Sequence, residues 1–153
     1  MRYRTLSTKL LWLLFVALLA SPATAGELPK NLQDLLASST YVYISSTRKD
    51  GTLSRPAEIW FLWRNGSVYV ASPPTTWRAR RIRWGRPQAK IWIGKPDGPS
   101  FTATGAVVNE PDMYPILYET YARKYPDRWK SYEESFRKGL ADGSRVLIRY
   151  TPN

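Results

Sequence analysis

The chain has no cysteine and no histidine. Without thiols there are no disulfides and no thiolate metal sites, so the fold rests on its core alone. Without imidazole the usual general base near neutral pH is missing, and with it Ser-His-Asp hydrolysis, most zinc chemistry and His-ligated haem. Acid is also scarce, with 12 Asp and Glu against 23 Lys and Arg in 153 residues, a formal charge of +11. No internal repeat and no long linker divides the sequence, and its length predicts one domain.

The first 25 residues are expected to be an export signal. Arg2, Arg4 and Lys9 give a positive start, Leu10 to Ala20 is an unbroken apolar run, and Ala23-Thr24-Ala25 offers the small-x-small pattern that signal peptidase accepts. The run is short for a transmembrane helix, the two arginines are split by Tyr3, and no cysteine is present for a lipid anchor. The expected organisation is a signal peptide at 1–25 and one domain at 26–153. The mature protein is then periplasmic or secreted, with no stable membrane insertion. Removing the three basic residues at 2, 4 and 9 leaves +8. Such a balance favours an anionic partner, and export turns it away from nucleic acid towards anionic lipid or a phosphorylated ligand.

The chain is organised around Arg55 to Ile93. RPAEIWFLW and SVYVAS flank Asn65-Gly66, which predicts a hairpin, because a type I′ turn needs positive φ at both central residues. Then Ser72, Thr75 and Thr76 open a segment crowded with Arg78, Arg80, Arg81, Arg83 and Arg86. Hydroxyls and guanidiniums together suit a phosphate. The plainer reading is a solvated basic helix face. The segment Thr75 to Arg86 is expected to be a short helix with Thr75 or Thr76 as N-cap, its free N–H groups aimed at an anion.

Around this centre, Leu28 to Ala37 has helical spacing, Thr40 to Thr47 alternates as a strand, and Asp50-Gly51 turns the chain. Gln88 to Ile93 and Ser100 to Asn109 read as further strands, with Gly105 marking a bulge, a bend or a close approach. Glu110 to Tyr125 is expected to be a helix whose stripe of Tyr114, Leu117, Tyr118 and Tyr121 packs the core. A second helix is expected within Asp127 to Gly139, and Arg145 to Thr151 closes the chain as a strand. Hairpins and late helices in this order predict a mainly β, α+β domain: a small antiparallel barrel with helices at its ends. Trp60, Trp63, Trp84 and Trp92 are expected in a barrel or dimer core, and Arg48, Lys49, Arg123 and Lys124 on the surface. Glu58 is left facing solvent, an arginine or the site.

In its stretches TRKDGTLSRPAEIWFLWRNGSVYVAS, TTWRARRIRWGRP and QAKIWIG leading to SFTATGAVV, the sequence resembles the pyridoxamine 5′-phosphate oxidase-like family of FMN-binding split β-barrels. The resemblance spans the whole mature chain, and about forty residues carry its specific part. It implies an antiparallel split β-barrel with flanking helices, a homodimer, and flavin sites at the subunit interface. Position by position it implies that Arg55, Pro56 and Ala57 line the flavin and that Ser72 is the hydroxyl ending the hairpin. It further implies that Thr76 and Arg78 hold the phosphate, and that Ser100 to Thr102, with Ser100 and Thr102 the named positions, lie near the ring. Trp77 stands where a basic residue is common, and Gly85-Arg86 replaces the usual Asn before Pro87. Relatives in the wider group use a deazaflavin, bind haem or carry no ligand. Residues acting on a pyridoxal substrate are not recognisable, and no catalytic side chain and no metal ligand is assigned.

Flavin chemistry needs little from side chains, since the cofactor carries the electrons and the protein orients it. The lack of an acid-base set therefore fits an exported FMN-dependent oxidoreductase acting on a small-molecule redox substrate. The alternative is a non-catalytic split-barrel module binding an anionic or aromatic ligand.

Overall fold

The computed structural model describes residues 26–153, so the expected signal peptide lies outside the described residues. Four helices and seven strands follow in chain order: α1 (Lys30–Ser38), β1 (Val42–Ser46), β2 (Ala57–Ile59), β3 (Leu62–Arg64), β4 (Ser67–Ser72), α2 (Trp77–Arg83), β5 (Gln88–Ile93), β6 (Ser100–Val108), α3 (Met113–Lys124), α4 (Pro126–Asp142) and β7 (Val146–Pro152).

The strands form one antiparallel sheet in the order β2-β1-β5-β6-β7-β4-β3. Its two edge strands, β2 and β3, are consecutive in the chain and separated only by Trp60 and Phe61. Three Cα steps span at most about 11 Å, so the end of one edge strand lies close to the start of the other. The sheet is therefore curled on itself into a split barrel, and the fold class is α+β as the sequence predicts.

One expected strand is thereby corrected. RPAEIWFLW reads as one aromatic and β-branched run, yet it divides at Trp60-Phe61, with Ala57–Ile59 pairing with β1 and Leu62–Arg64 with β4. The hairpin itself stands: Leu62 faces Tyr69 and Arg64 faces Ser67, with Asn65 at φ 50° and Gly66 at φ 68° as a type I′ turn demands.

Two cores result. Inside the barrel, Val42, Ile44, Val68, Val70, Ile91, Phe101, Ala103, Ile148 and Tyr150 are buried together. The ends are closed by helices: Leu28 and Leu36 of the α1 region join this core on one side, Ala79 and Ile82 of α2 on the other. Outside the barrel, Leu62, Tyr69 and Leu147 pack under α3 and α4 against Leu117, Tyr118, Tyr121, Trp129 and Phe136. The tyrosine stripe is thus core. Pro126 does more than stop α3, since it sits in the first turn of α4, where its missing N–H costs nothing.

Gly105 answers to close packing. A Cβ there would lie 2.7 Å from Tyr150 Cε1 and 2.9 Å from Ile82 Cδ1, so the glycine lets α2 seat against β6. Two further expectations change. Trp84 joins neither core of the protomer and is 55% exposed, which sets aside the barrel half of its expectation and leaves the dimer half. Lys124 is half-buried: its Nζ donates to Phe61 O at 3.3 Å and lies 3.4 Å from the Phe61 ring centre, and burial pushes its pKa down to about 7.

Candidate functional site

At the α2 end of the barrel a cleft of about 480 Å³ opens between α2 and the β1–β2 region. Ile44 and Ser46 of β1 form its floor, Arg48, Ser54, Arg55 and Ala57 one wall, and Thr76, Trp77, Arg78 and Arg81 the other. Alternation explains the floor: Val42, Ile44 and Ser46 point inward on β1, so the last inward residue is a hydroxyl at the barrel mouth. On α2 the helical repeat sends Ala79 and Ile82 into the core and leaves Arg78 and Arg81 on the flank beside the cleft.

Arg78 is a half-buried cation with little compensation. Its guanidinium donates from Nη1 to Ser72 Oγ at 2.9 Å, and that is its only side-chain hydrogen bond among the described residues. Burial pushes its pKa down, with the Tyr150 and Tyr121 phenols acting the other way. None of its nitrogens is both buried and unpartnered, and the side chain lines the cleft. Arg81 donates from Nη1 to Ser46 Oγ at 2.7 Å, and its pKa is also pushed down, first by burial and then by the charges of Arg48 and Arg86. Arg48 is tied to the Asp50-Gly51 turn through Leu53 O at 2.5 Å and Thr52 Oγ1 at 3.2 Å.

No counter-charge answers these cations. Between Glu58 and Asp97 the chain has no acidic residue, and among the described residues no salt bridge involves Arg48, Arg55, Arg78, Arg80, Arg81, Arg83 or Arg86. Glu58, the carboxylate nearest in sequence, accepts a hydrogen bond from Tyr43 Oη at 2.6 Å instead. An isolated buried charge is expensive, and guanidiniums matched to a dianion remove that cost. Trp77 stands at the rim, 60% exposed, with the guanidinium carbons of Arg80 and Arg81 each 5.6 Å from its ring centre.

The residues expected from sequence are distributed unevenly. Arg55, Ala57, Thr76 and Arg78 line the cleft, Pro56 lies within its wall, and Ser72 holds Arg78 from beneath. Ser100 and Thr102 do not line it. They lie on the outward side of β6, whose inward residues are Phe101 and Ala103, and they pair with Trp92 and Lys90 of β5. Thr76 stands at the N-cap of α2, but its Oγ1 donates to Pro73 O at 2.9 Å and so does not cap the helix. Sequence reasoning passed over Ser46, Ser54 and Trp77 as site residues. The inward alternation of β1 was the available signal for Ser46.

Chemically, the cleft can grip a phosphate and present an aromatic face. It lacks any carboxylate for proton transfer, and among the described residues no acidic cluster could hold a metal ion.

No protein-family model matches the sequence, and no curated protein matches it. Solved structures do match. A Clostridium acetobutylicum protein related to general stress protein 26, of the pyridoxinephosphate oxidase family, superposes with a TM-score of 0.54 at 13% identity, covering 80% of this chain and 82% of that one. An F420 reductase matches at 0.53 and 21% identity over 82% of this chain and 96% of the other. A conserved hypothetical protein from Mycobacterium tuberculosis matches at 0.63 and 15% identity over 86% and 84%. At these identities the likeness is one of fold: this chain has the split-barrel fold of the pyridoxamine 5′-phosphate oxidase-like proteins.

Proposed function

We propose that this protein binds a flavin nucleotide, FMN in the leading reading, by its phosphate in the cleft between α2 and β1–β2, and acts as an oxidoreductase on a small molecule. The observation that carries this is Arg78: a half-buried guanidinium with one hydroxyl partner and no carboxylate, turned towards the cleft. The cleft volume falls within the range of about 300–1,000 Å³ typical of ligand sites.

When bound, a flavin supplies the electron transfer. The chain's part is to hold and orient. Arg78 and Arg81 take the phosphate charge, Ser46 and Ser72 fix their guanidiniums, and Trp77 offers its exposed face to a ring. The absence of a carboxylate in the cleft fits an oxidoreductase and disfavours a hydrolase. A deazaflavin would use the same phosphate contacts, and the F420 reductase of like fold keeps that cofactor as the alternative.

The same reading includes a homodimer and export. The outward side of β2, β1 and β5 carries no helix and presents Tyr43, Glu58, Lys90 and Trp92, with Ser100 and Thr102 beside them on β6. Light scattering coupled to size exclusion checks the dimer, and fractionation of cells checks the compartment.

The deciding experiment is the visible absorption spectrum of the protein as purified and after incubation with FMN and removal of excess. A retained flavin spectrum that disappears in Arg78→Ala, with folding intact by circular dichroism, is expected. A folded protein that retains no flavin sinks the FMN assignment, and a spectrum unchanged in Arg78→Ala moves the phosphate elsewhere.

A further inference from the structure

We propose a second, separate ligand site in the cavity between α4, the start of β7 and the β2–β3 joint, suited to a small arene carboxylate. The cavity holds about 250 Å³ and is lined by Trp60, Arg128, Tyr132, Phe136 and Arg145. It shares no residue with the cleft and has about half its volume.

Its walls are aromatic and braced. The Trp60 ring stacks on Tyr125 at 4.3 Å and 9°, which fixes one of its faces, while Phe136 lies 6.0 Å away at 13° and Tyr132 meets it edge-on at 5.9 Å and 87°. Tyr132 is 48% exposed, so its ring flanks an open mouth. A flat apolar body fits such walls by stacking and edge contacts.

Its polar groups are two cations without partners. On α4, Arg137 pairs with Glu133 and Lys138 with Asp142, but Arg128 and Arg145 enter no salt bridge among the described residues and donate no side-chain hydrogen bond there. No carboxylate lines the cavity. Arg145 is half-buried, and its guanidinium carbon lies 3.9 Å from the Phe136 ring centre.

The backbone is shaped to put it there. Gly139 stands inside α4, where glycine costs helix stability relative to alanine. A Cβ at that position would lie 2.7 Å from Arg145 Cγ and 3.0 Å from Arg145 Cδ. The missing methyl is what allows the Arg145 stem to cross the helix to the aromatic wall, and Arg145 N–H donates to Gly139 O at 2.8 Å on the way. A carboxylate matches a guanidinium fork, and its arene matches the walls; a bare inorganic anion would leave the walls unused.

The test is titration of the full-length protein with benzoate and with neutral benzamide, followed by isothermal calorimetry. Benzoate is expected to bind at least about tenfold more tightly than benzamide. Arg145→Gln and, independently, the exposed-site change Arg128→Gln should each weaken benzoate by about tenfold, while Arg78→Ala leaves it unchanged. Gly139→Ala, which displaces the Arg145 stem, should weaken benzoate as Arg145→Gln does. The proposal is overturned by no heat at about 10 mM benzoate, by equal binding of benzamide, by insensitivity to both arginine changes, or by loss of binding in Arg78→Ala. A dimer that dissociates in Tyr132→Ala, in a protein that does not bind benzoate, would assign the cavity to a second copy and equally overturn it.

Discussion

Lys124 shows at the scale of one residue how charge and burial contend in this fold. Its ammonium is withdrawn from water and faces the Phe61 ring, the Phe61 carbonyl and the neighbouring Arg123. Desolvation is the first cause of its lowered pKa and the Arg123 charge the second. The folded value, about 7, lies below the ordinary 10.5, so between them the unfolded chain binds the extra proton. Stability therefore rises with pH across that interval, and the full penalty is present below pH 7. Lys124→Met is expected to raise the melting temperature at pH 7 by roughly a few degrees. The gain should shrink towards pH 10.5, which thermal melts across that range would show. An equal gain at every pH would mean that packing, and not the charge, is what the substitution changes. Nothing local in ARKYPD marks this lysine as buried, because its cover comes from Phe61, far away in sequence.

At the scale of elements, short-range signals were readable and long-range ones were not. Asn65-Gly66 specified its turn through backbone dihedrals alone, and Gln88–Ile93 stands as a strand with the bounds that its bulky residues predict. The break at Trp60-Phe61 was not legible. It exists because the two halves of one apolar run find partners on opposite edges of the sheet, which is a property of barrel closure and not of the run. Likewise the arginines of α2 were legible as a basic segment, but which of them face the cleft follows from how Ala79 and Ile82 seat the helix. Gly105 governs that seating. Gly105→Ala forces a methyl against the buried Tyr150 ring and against Ile82, overpacking that typically costs about 1–3 kcal/mol. We expect a lower urea midpoint together with weaker FMN retention, since Arg78 and Arg81 ride on the displaced helix. Loss of stability with unchanged retention would show that the cleft does not depend on the α2–β6 contact.

For the whole molecule, the uneven placement of charge gives the last prediction. Acidic residues are absent from Ile59 to Pro96, the stretch that supplies α2 and one wall of the cleft, while the paired acids lie mainly on α1, α4 and the loops. The fold thus concentrates unpaired cations at the α2 end of the barrel, where no carboxylate stands among them. An anion that binds the folded cleft and not the unfolded chain must raise stability by RT ln(1 + [L]/Kd), about 1.4 kcal/mol at ten times Kd. For a domain of this size that is roughly 3–6 °C in melting temperature. Inorganic phosphate is therefore expected to raise the melting temperature in a saturable way, beyond sodium chloride at equal ionic strength, and Arg78→Ala should abolish the difference. General screening of the +11 chain would act in both salts alike and would survive the substitution, so the two variants and two salts together separate a bound dianion from a merely basic surface.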